Sequence, residues 1–374
     1  MSVSIDQRPQ NFFLPIGQKV IFSVSENTIV ATKFNVKFIA EVQVSNMAIV
    51  AGNSQDIIGT FKTTPNNAGV GIFDLRPILE AFVSPDYEPN STTIPDSVSE
   101  YKGKAASEAM FPIHLIDKYS VSPNSIKYFA VRFLIEYSDT ATGTIIPPTD
   151  DSNNNAVDSG MYTMFNGVLQ YDDVLTLENG NYGYDLDAFY LTDSESKFLT
   201  NAPTTQYARL TDYGTFPFIN FRPTSSNRVT HLTLKYYNSS DVQLGADYVL
   251  NDDVNGGVNV AGIASNKRIN YFGAFPANLD GWSTTWDTHK ANISYYTIQH
   301  PSGDSLLYTI NIICPNARGY EGIRLTWLNQ WGTWDYYTFN MKSTRSISTN
   351  RTSYTQQDGT WNESTFKISG YKGG

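Results

Sequence analysis

The sequence has few charged side chains, and most of those are acidic. Charged residues make up 17% of the 374 residues, against roughly 25% in an average soluble protein, and the formal net charge is −10. Because binding to nucleic acid depends largely on Lys and Arg that neutralise phosphates, this balance argues against a nucleic-acid partner. The densest cationic stretch, Lys342 to Arg351 (KSTRSISTNR), dilutes three cations with hydroxyl groups. It is predicted to be a solvated strand or loop.

Cysteine is nearly absent as well. The single cysteine, Cys314, excludes an internal disulfide and is predicted to be a small buried hydrophobic residue. The N-terminal stretch lacks the basic start and the apolar run of an export signal, and no stretch approaches the ~18 apolar residues of a membrane span. We therefore expect folding in a cytoplasm and no membrane partner.

Residue patterns that carry chemistry are also missing. The histidines, His114, His231, His289 and His300, lack the spacing of a zinc site, and no phosphate-binding or nucleophile motif occurs. The Asp-rich loops at 150–158 and 251–255 do not match a calcium-binding loop. Two carboxylates that meet only in space leave no sequence signature, so Asp335 stays open as an acid, although a hydrogen-bond acceptor in a hairpin is favoured. The sequence predicts no enzyme, no cofactor and no metal.

Abundant Asn, Ser, Thr, Tyr and Gly favour strands and turns over long helices. Apolar residues recur at every second position in KVIFSVSE (19–26), KFNVKFIAEVQVS (33–45) and IKYFAVRFLIEYS (126–138), which predicts strands with one buried face. Further strands are predicted between 161 and 314. The fold class is therefore mostly β, with two or three antiparallel β-sandwich or barrel-like domains and a short inserted helix.

The same patterns divide the chain into segments. Residues 1–17 are predicted to form an extended N-terminal arm, and 18–145 a β-domain with a short helix at 75–83 that begins after Asp74 and turns Ile78, Leu79, Phe82 and Val83 to one face. The proline and Asp/Asn run at 146–160 is predicted to be a linker or exposed loop. Residues 161–374 form a C-terminal β-region, which divides into two sub-domains if a break falls near 265–290.

Aromatic residues concentrate near the C-terminus, since all six tryptophans lie after residue 281. The stretch EGIRLTWLNQWGTWDYYTFNMK predicts a β-hairpin with aromatic residues on both faces. A hairpin of that kind lies inside a sandwich or packs against another chain, because large apolar patches are rarely exposed on a monomer. Trp331 and Trp334 are therefore candidates for an assembly interface.

Two further aromatic clusters are candidate contact sites. Phe12 and Phe13 are too apolar to extend freely into water and are predicted to dock on a neighbouring subunit. Trp282 and Trp286, in the Ser/Thr-rich stretch GWSTTWD, could stack on a glycan, anchor a protein interface or pack in the core. Those three alternatives remain open from the sequence.

Two parts of the chain show a resemblance. RPQNFFLPIGQKVIFSVSE with GVGIFDLRPILEAFVS, and IRLTWLNQWGTWDYYTFN near the C-terminus, together resemble virion structural proteins of tailed bacteriophages that infect Bacteroidetes, crAss-like phages included. They cover about a fifth of the chain. The resemblance implies a non-enzymatic building block of the tail, neck or baseplate, such as an oligomeric ring or adaptor.

Several expectations follow from the resemblance. The partners would be copies of the same chain and other virion proteins, and the protein would reside in the virion after assembly in the host cytoplasm. A carbohydrate-binding or host-receptor-binding β-sandwich module, with a glycan as partner, is the alternative.

Overall fold

The structure is a computed structural model and confirms a mostly β fold with short helices. It describes residues 3–9, 13–46, 49, 57–87, 113–116, 119–122, 124–148, 156–168, 189, 191, 194–220, 229, 231–250, 268–281, 283–313, 320, 322–352, 354–358 and 367–371.

The first half of the chain builds one sandwich and a few short helices. Its strands are β1 (Ser4–Gln7), β2 (Phe13–Pro15), β3 (Ile21–Ser25), β4 (Phe34–Ser45), β5 (Ile57–Thr63), β6 (Val70–Asp74), β7 (Tyr119–Val121), β8 (Ile126–Ser138) and β9 (Val157–Phe165). Its helices are α1 (Asn27–Thr32) and α2 (Arg76–Leu79), with 3₁₀ turns at Glu80–Phe82 and Ile113–Leu115.

The second half contains the remaining sheets. Its strands are β10 (Thr205–Ala208), β11 (Thr215–Asn220), β12 (Leu232–Tyr237), β13 (Tyr248–Leu250), β14 (Arg268–Gly273), β15 (Tyr295–Gln299), β16 (Tyr308–Ile312), β17 (Ile323–Leu328), β18 (Trp334–Phe339), β19 (Tyr354–Asp358) and β20 (Lys367–Tyr371). Its helices are α3 (Pro276–Leu279) and α4 (Thr284–His289), with a 3₁₀ turn at Pro301–Gly303.

A five-stranded sheet in the order β2-β9-β8-β4-β5 packs on a three-stranded sheet in the order β1-β3-β6. The alternating residues of β4 and β8 supply much of the buried face, as their sequence pattern predicted. Phe133 of β8 meets Phe22 of β3 at 5.4 Å and Phe73 of β6 at 5.6 Å between ring centroids. Tilted aromatic pairs at this separation add to the hydrophobic stabilisation of the core.

The boundary predicted at 146–160 differs from the structure. Ile146 bridges back to Tyr137, and β9 begins at Val157 and pairs antiparallel with β8, so the start of the predicted C-terminal region completes the first sandwich. A bulge hides this strand in the sequence: the register shifts between Ala130 and Arg132, and the Ser159 hydroxyl accepts the Val131 N–H at 2.9 Å. Residues 149–155 of the predicted linker lie outside the described residues.

The predicted N-terminal arm belongs to the same sandwich. β1 pairs antiparallel with β3, and β2 pairs parallel with β9, which is an exception to the predicted antiparallel order. Phe13 is buried, with its ring 4.8 Å from that of Phe165, so it packs within its own chain. Phe12 lies outside the described residues.

The inserted helix is found close to its predicted place. It forms α2 and the 3₁₀ turn after it, and the Asp74 carboxylate accepts the Arg76 N–H at 3.2 Å. Leu79 and Val83 are buried as predicted. Phe82 is exposed, because the tightening from α to 3₁₀ geometry turns it out of the face that the helical spacing predicted.

A second core lies between the sheets β10-β16-β15-β12-β13 and β11-β14-β7. Strand β7 comes from the first half of the chain, so the two halves share this core.

The break predicted near 265–290 is not seen in the described part of that range, 268–281 and 283–290. There the α3 residue Asn278 is buried, accepts the Gly214 N–H, and donates to the carbonyls of His114 and Ile116.

Candidate assembly surface

The aromatic stretch near the C-terminus forms the predicted hairpin. β17 and β18 pair antiparallel from Ile323 opposite Phe339 to Leu328 opposite Trp334. Since successive side chains of a strand point to opposite faces, the hairpin has two distinct faces. The inner face carries Arg324, Tyr336 and Thr338 at its enclosed end, and Thr326, Leu328 and Trp334 toward the turn, where Thr326 and Leu328 are exposed. The face opposite to it, which we call the outer face, carries Ile323, Leu325, Trp327, Tyr337 and Phe339, and also Asp335, which lies opposite Trp327 and is covered by Thr200 and Asn201.

The turn of the hairpin is held by Asn329. Its side-chain oxygen accepts the backbone N–H groups of Trp331 (2.9 Å) and Thr333 (3.2 Å). Gly332 has φ = +68°, and a Cβ placed there would lie 1.6 Å from the carbonyl oxygen of Asn166. Only glycine therefore fits this turn against the end of the first sandwich.

Trp331 fixes the tip of the hairpin to the body of its own chain. Its side chain is buried, and its ring centroid is 4.1 Å from that of Phe189. The neighbouring carbonyl of Gln330 accepts the Val168 N–H at 2.6 Å. This residue, predicted as an interface candidate, thus serves a contact between two parts of the same chain.

A buried charge network attaches the inner face. Asp212 is 3% exposed and lies 3.6 Å from the Arg324 guanidinium. The Thr338 hydroxyl donates to Asp212 at 2.9 Å and accepts from Arg324 at 2.8 Å. The guanidinium also lies 4.6 Å from the ring centroid of Phe275. Asp212 also pairs with Arg209 at 3.0 Å, so the costly case is the removal of Asp212, which would leave the Arg324 guanidinium enclosed without its counter-charge.

Trp334 joins the hairpin to a buried acid. Its indole N–H donates to the carbonyl of Asp86 at 2.7 Å, and its ring packs against Tyr87. The Asp86 carboxyl group is fully buried, with Oδ1 accepting the Asn124 N–H at 2.9 Å and Oδ2 lacking a hydrogen-bond partner among the described residues. Burial raises the pKa of Asp86 to about 6, although the nearby Ser125 opposes the shift.

The outer face is open to solvent except at Asp335, which is buried. Leu325 and Phe339 are each 48% exposed and Trp327 is 36% exposed, while Tyr337 packs edge-on against Phe339 at 4.8 Å. None of these residues was singled out from the sequence, where Trp331 and Trp334 stood out as tryptophans. The period-2 alternation shows which residues share a face of the hairpin. Which of the two faces points inward can be assigned only once Arg324 is known to be buried.

The pair predicted for glycan stacking is not exposed where it is described. The stretch predicted as a loop forms α4, capped by the Ser283 hydroxyl, which accepts the Trp286 N–H at 3.1 Å. Trp286 is 1% exposed and packs against Tyr236 and Tyr296. It offers no free ring face to a sugar in this conformation. Trp282 lies outside the described residues.

The acid singled out from the sequence is also enclosed. Asp335 is 1% exposed and accepts hydrogen bonds from the Thr200 hydroxyl (2.5 Å) and the Asn201 N–H (2.9 Å), and burial raises its pKa. Asp335 therefore acts as a hydrogen-bond acceptor in the hairpin. Among the residues that the structure describes, no three His, Cys, Asp or Glu side chains group as metal ligands.

Replacing Gly332 tests the docking of the turn. We expect Gly332→Ala to lower the free energy of unfolding by at least about 2 kcal/mol, because it combines a positive φ with an overlap onto backbone. Gly281→Ala is the matched control, since Gly281 also has a positive φ but nothing lies within 4 Å of its Cβ position. Equal losses in urea unfolding of both variants would contradict the close contact.

Breaking the buried charge network tests the inner face. Asp212→Ala is expected to cost about 3–5 kcal/mol in urea unfolding, because it leaves the Arg324 guanidinium enclosed without its counter-charge. Glu80→Ala removes an exposed partner of Arg76 and is expected to cost less than about 1 kcal/mol. A similar small loss in both variants would show that the network does not anchor the hairpin.

Asp86 gives a pH dependence with a definite sign. Its folded pKa of about 6 exceeds the ordinary value of 3.8, so its neutral form favours folding below pH 4 and this contribution is lost as the pH rises through 6. Relative to wild type, Asp86→Asn should therefore gain stability between pH 4 and 7, on the order of 3 kcal/mol. Urea unfolding across that range measures the gain.

An exposed acid provides the control for that pH series. Asp158→Asn removes an exposed carboxylate of β9 and is expected to change the free energy of unfolding by less than about 1 kcal/mol at pH 7. A curve for Asp86→Asn that runs parallel to wild type would contradict the burial of an ionisable Asp86.

Comparisons with known proteins leave the function to be judged from this geometry. No protein-family model matches the chain, and no curated protein matches it. Among the described residues, no helix is both long and apolar enough to cross a membrane. The open outer face of a rigidly docked hairpin is therefore the feature on which a functional assignment can rest.

Proposed function

We propose that the protein is a non-enzymatic structural subunit that assembles through the outer face of its β17–β18 hairpin. The observation that carries the proposal is the exposure of Leu325, Trp327 and Phe339 on one face of a strand pair whose other face is held by the buried contacts of Arg324 and Thr338. Aromatic side chains are enriched at the centres of protein interfaces, and contiguous exposed apolar patches mark interaction sites. The partners are copies of the same chain and other components of the same particle.

The particle we propose is a tailed-bacteriophage virion. The support is the resemblance of the two ends of the chain to virion structural proteins, together with the aromatic β architecture. In that setting the chain forms or joins a ring or adaptor of the tail, neck or baseplate. It acts by shape and contact.

A charge placed at the centre of the outer face tests the proposal. The wild-type chain is expected to elute as a discrete oligomer in size-exclusion chromatography with light scattering. Leu325→Asp should weaken that association by about 100-fold or more, because assembly would bury an unpaired carboxylate.

Ile72→Asp is the matched control for this experiment. Ile72 is an exposed strand residue of β6, on the first sandwich, so its replacement should leave the oligomer intact. A wild-type chain that stays monomeric at all concentrations, or a Leu325→Asp chain that assembles normally, would contradict the proposed interface. Copurification of the wild-type protein with virions, checked by mass spectrometry, tests the particle.

A further inference from the structure

A segment beyond the hairpin remains outside both sandwiches. Residues 341–352, which we call the C-terminal arm, follow β18 directly, and all twelve are exposed. Ile347, an apolar residue, is 93% exposed, and Met341 is 63% exposed. After the arm, β19 and β20 pair with each other and with no other described strand. The structure thus has a projecting arm near the C-terminus, whereas the sequence predicted an arm at residues 1–17.

The arm has two unlike sides when extended. With a period of two, Met341, Arg345, Ile347 and Arg351 lie on one side, and Lys342, Thr344, Ser348 and Asn350 lie on the other. One side therefore carries both apolar residues and two of the three cations, whereas the other carries Lys342 and small polar groups. The arm contains three cations and no acid, in a chain whose net charge is −10.

The arm is long enough to reach a neighbouring molecule. At about 3.3 Å per residue, twelve extended residues span roughly 40 Å. A compact chain of this size has a radius of gyration of about 21 Å, so the arm can reach across to the next subunit.

The outer face carries aromatic and aliphatic side chains that can bind the cations and the apolar residues of the arm. Its Trp327 and Tyr337 rings suit a guanidinium, since cations are attracted to aromatic faces, and its Leu325 suits an aliphatic side chain. Within one chain the arm and the outer face are both exposed, so the arm does not cover the face of its own hairpin.

We propose that the C-terminal arm of one copy binds the outer face of the hairpin of the next copy, through the side that carries Ile347 and Arg351. This inference rests on the proposed function and names the partner of the same surface. Because the two contacting surfaces differ, the assembly is head to tail and closes into a ring only when the rotation between copies divides a full turn.

Neighbouring positions on the arm provide a matched test in the full-length chain. Ile347→Asp should weaken oligomerisation at least tenfold in light scattering, whereas Ser348→Asp, on the opposite side of the arm, should leave it close to wild type. Both positions are exposed, so unchanged melting temperatures confirm that the fold is intact. Normal assembly of Ile347→Asp, or equal losses in both variants, would overturn the proposal.

Crosslinking locates the docking site and separates the two hypotheses. In a Cys314→Ser background, a chain with Leu325→Cys is mixed with a differently tagged chain with Ile347→Cys. Mild oxidation should join the two chains efficiently, and a Ser348→Cys partner should react much less. An oligomer that gives no excess of this adduct overturns the arm inference and leaves the proposed function standing. A monomeric wild-type chain overturns both.

Discussion

The enclosed contact between Arg324 and Asp212 sets the orientation of the whole hairpin. A guanidinium that has left water needs its counter-charge and its hydrogen bonds, and it finds both only on the inner side, with Thr338 between the two charged groups. Because a strand alternates, locking Arg324 inward forces Leu325 and Trp327 outward. The exposed aromatic face is thus a consequence of where one charge is buried.

The largest buried aromatic side chains among the described residues pack within the chain. Phe133 joins the layers of the first sandwich, Trp286 and Tyr236 fill the second core, and Trp331 packs the hairpin tip against Phe189. The strand β7, contributed by the first half to a sheet of the second, ties the two cores in the same way. Exposed large apolar side chains also occur elsewhere, as at Ile72 and Val242, but those on the hairpin and on the arm that follows it are neighbours along the chain and form the candidate surface for contacts between molecules.

Local patterns in the sequence were sufficient to predict the regular strands. They were insufficient for elements that depend on contacts between distant parts of the chain. β8 runs from Ile126 to Ser138, as its alternation predicted, and the hairpin forms where its two arms were placed. β9 was predicted to start too late, because a bulge at Ser159 interrupts the alternation. α1 was not predicted: it is a six-residue helix whose cap, Glu26, is buried and accepts the Ile29 N–H, a contact that depends on the finished fold.

The candidate site shows the same limit. Composition drew attention to this hairpin, but tryptophan content alone favoured Trp331 and Trp334, whose partners Phe189 and Asp86 are far away in sequence. Phe13 likewise looked like an exposed anchor because its partner, Phe165, belongs to a strand that had been assigned to another domain. In each case the missing information was a partner more than a hundred residues away.

The central claim is that the outer face, and not the inner one, meets the neighbouring molecule. Hydroxyl-radical footprinting with mass spectrometry, on the assembled and the dissociated protein, tests it directly. Oxidation of Trp327, Tyr337 and Phe339 should fall on assembly, while Trp331 should remain protected in both states. Equal labelling of the outer face in the two states would contradict the account.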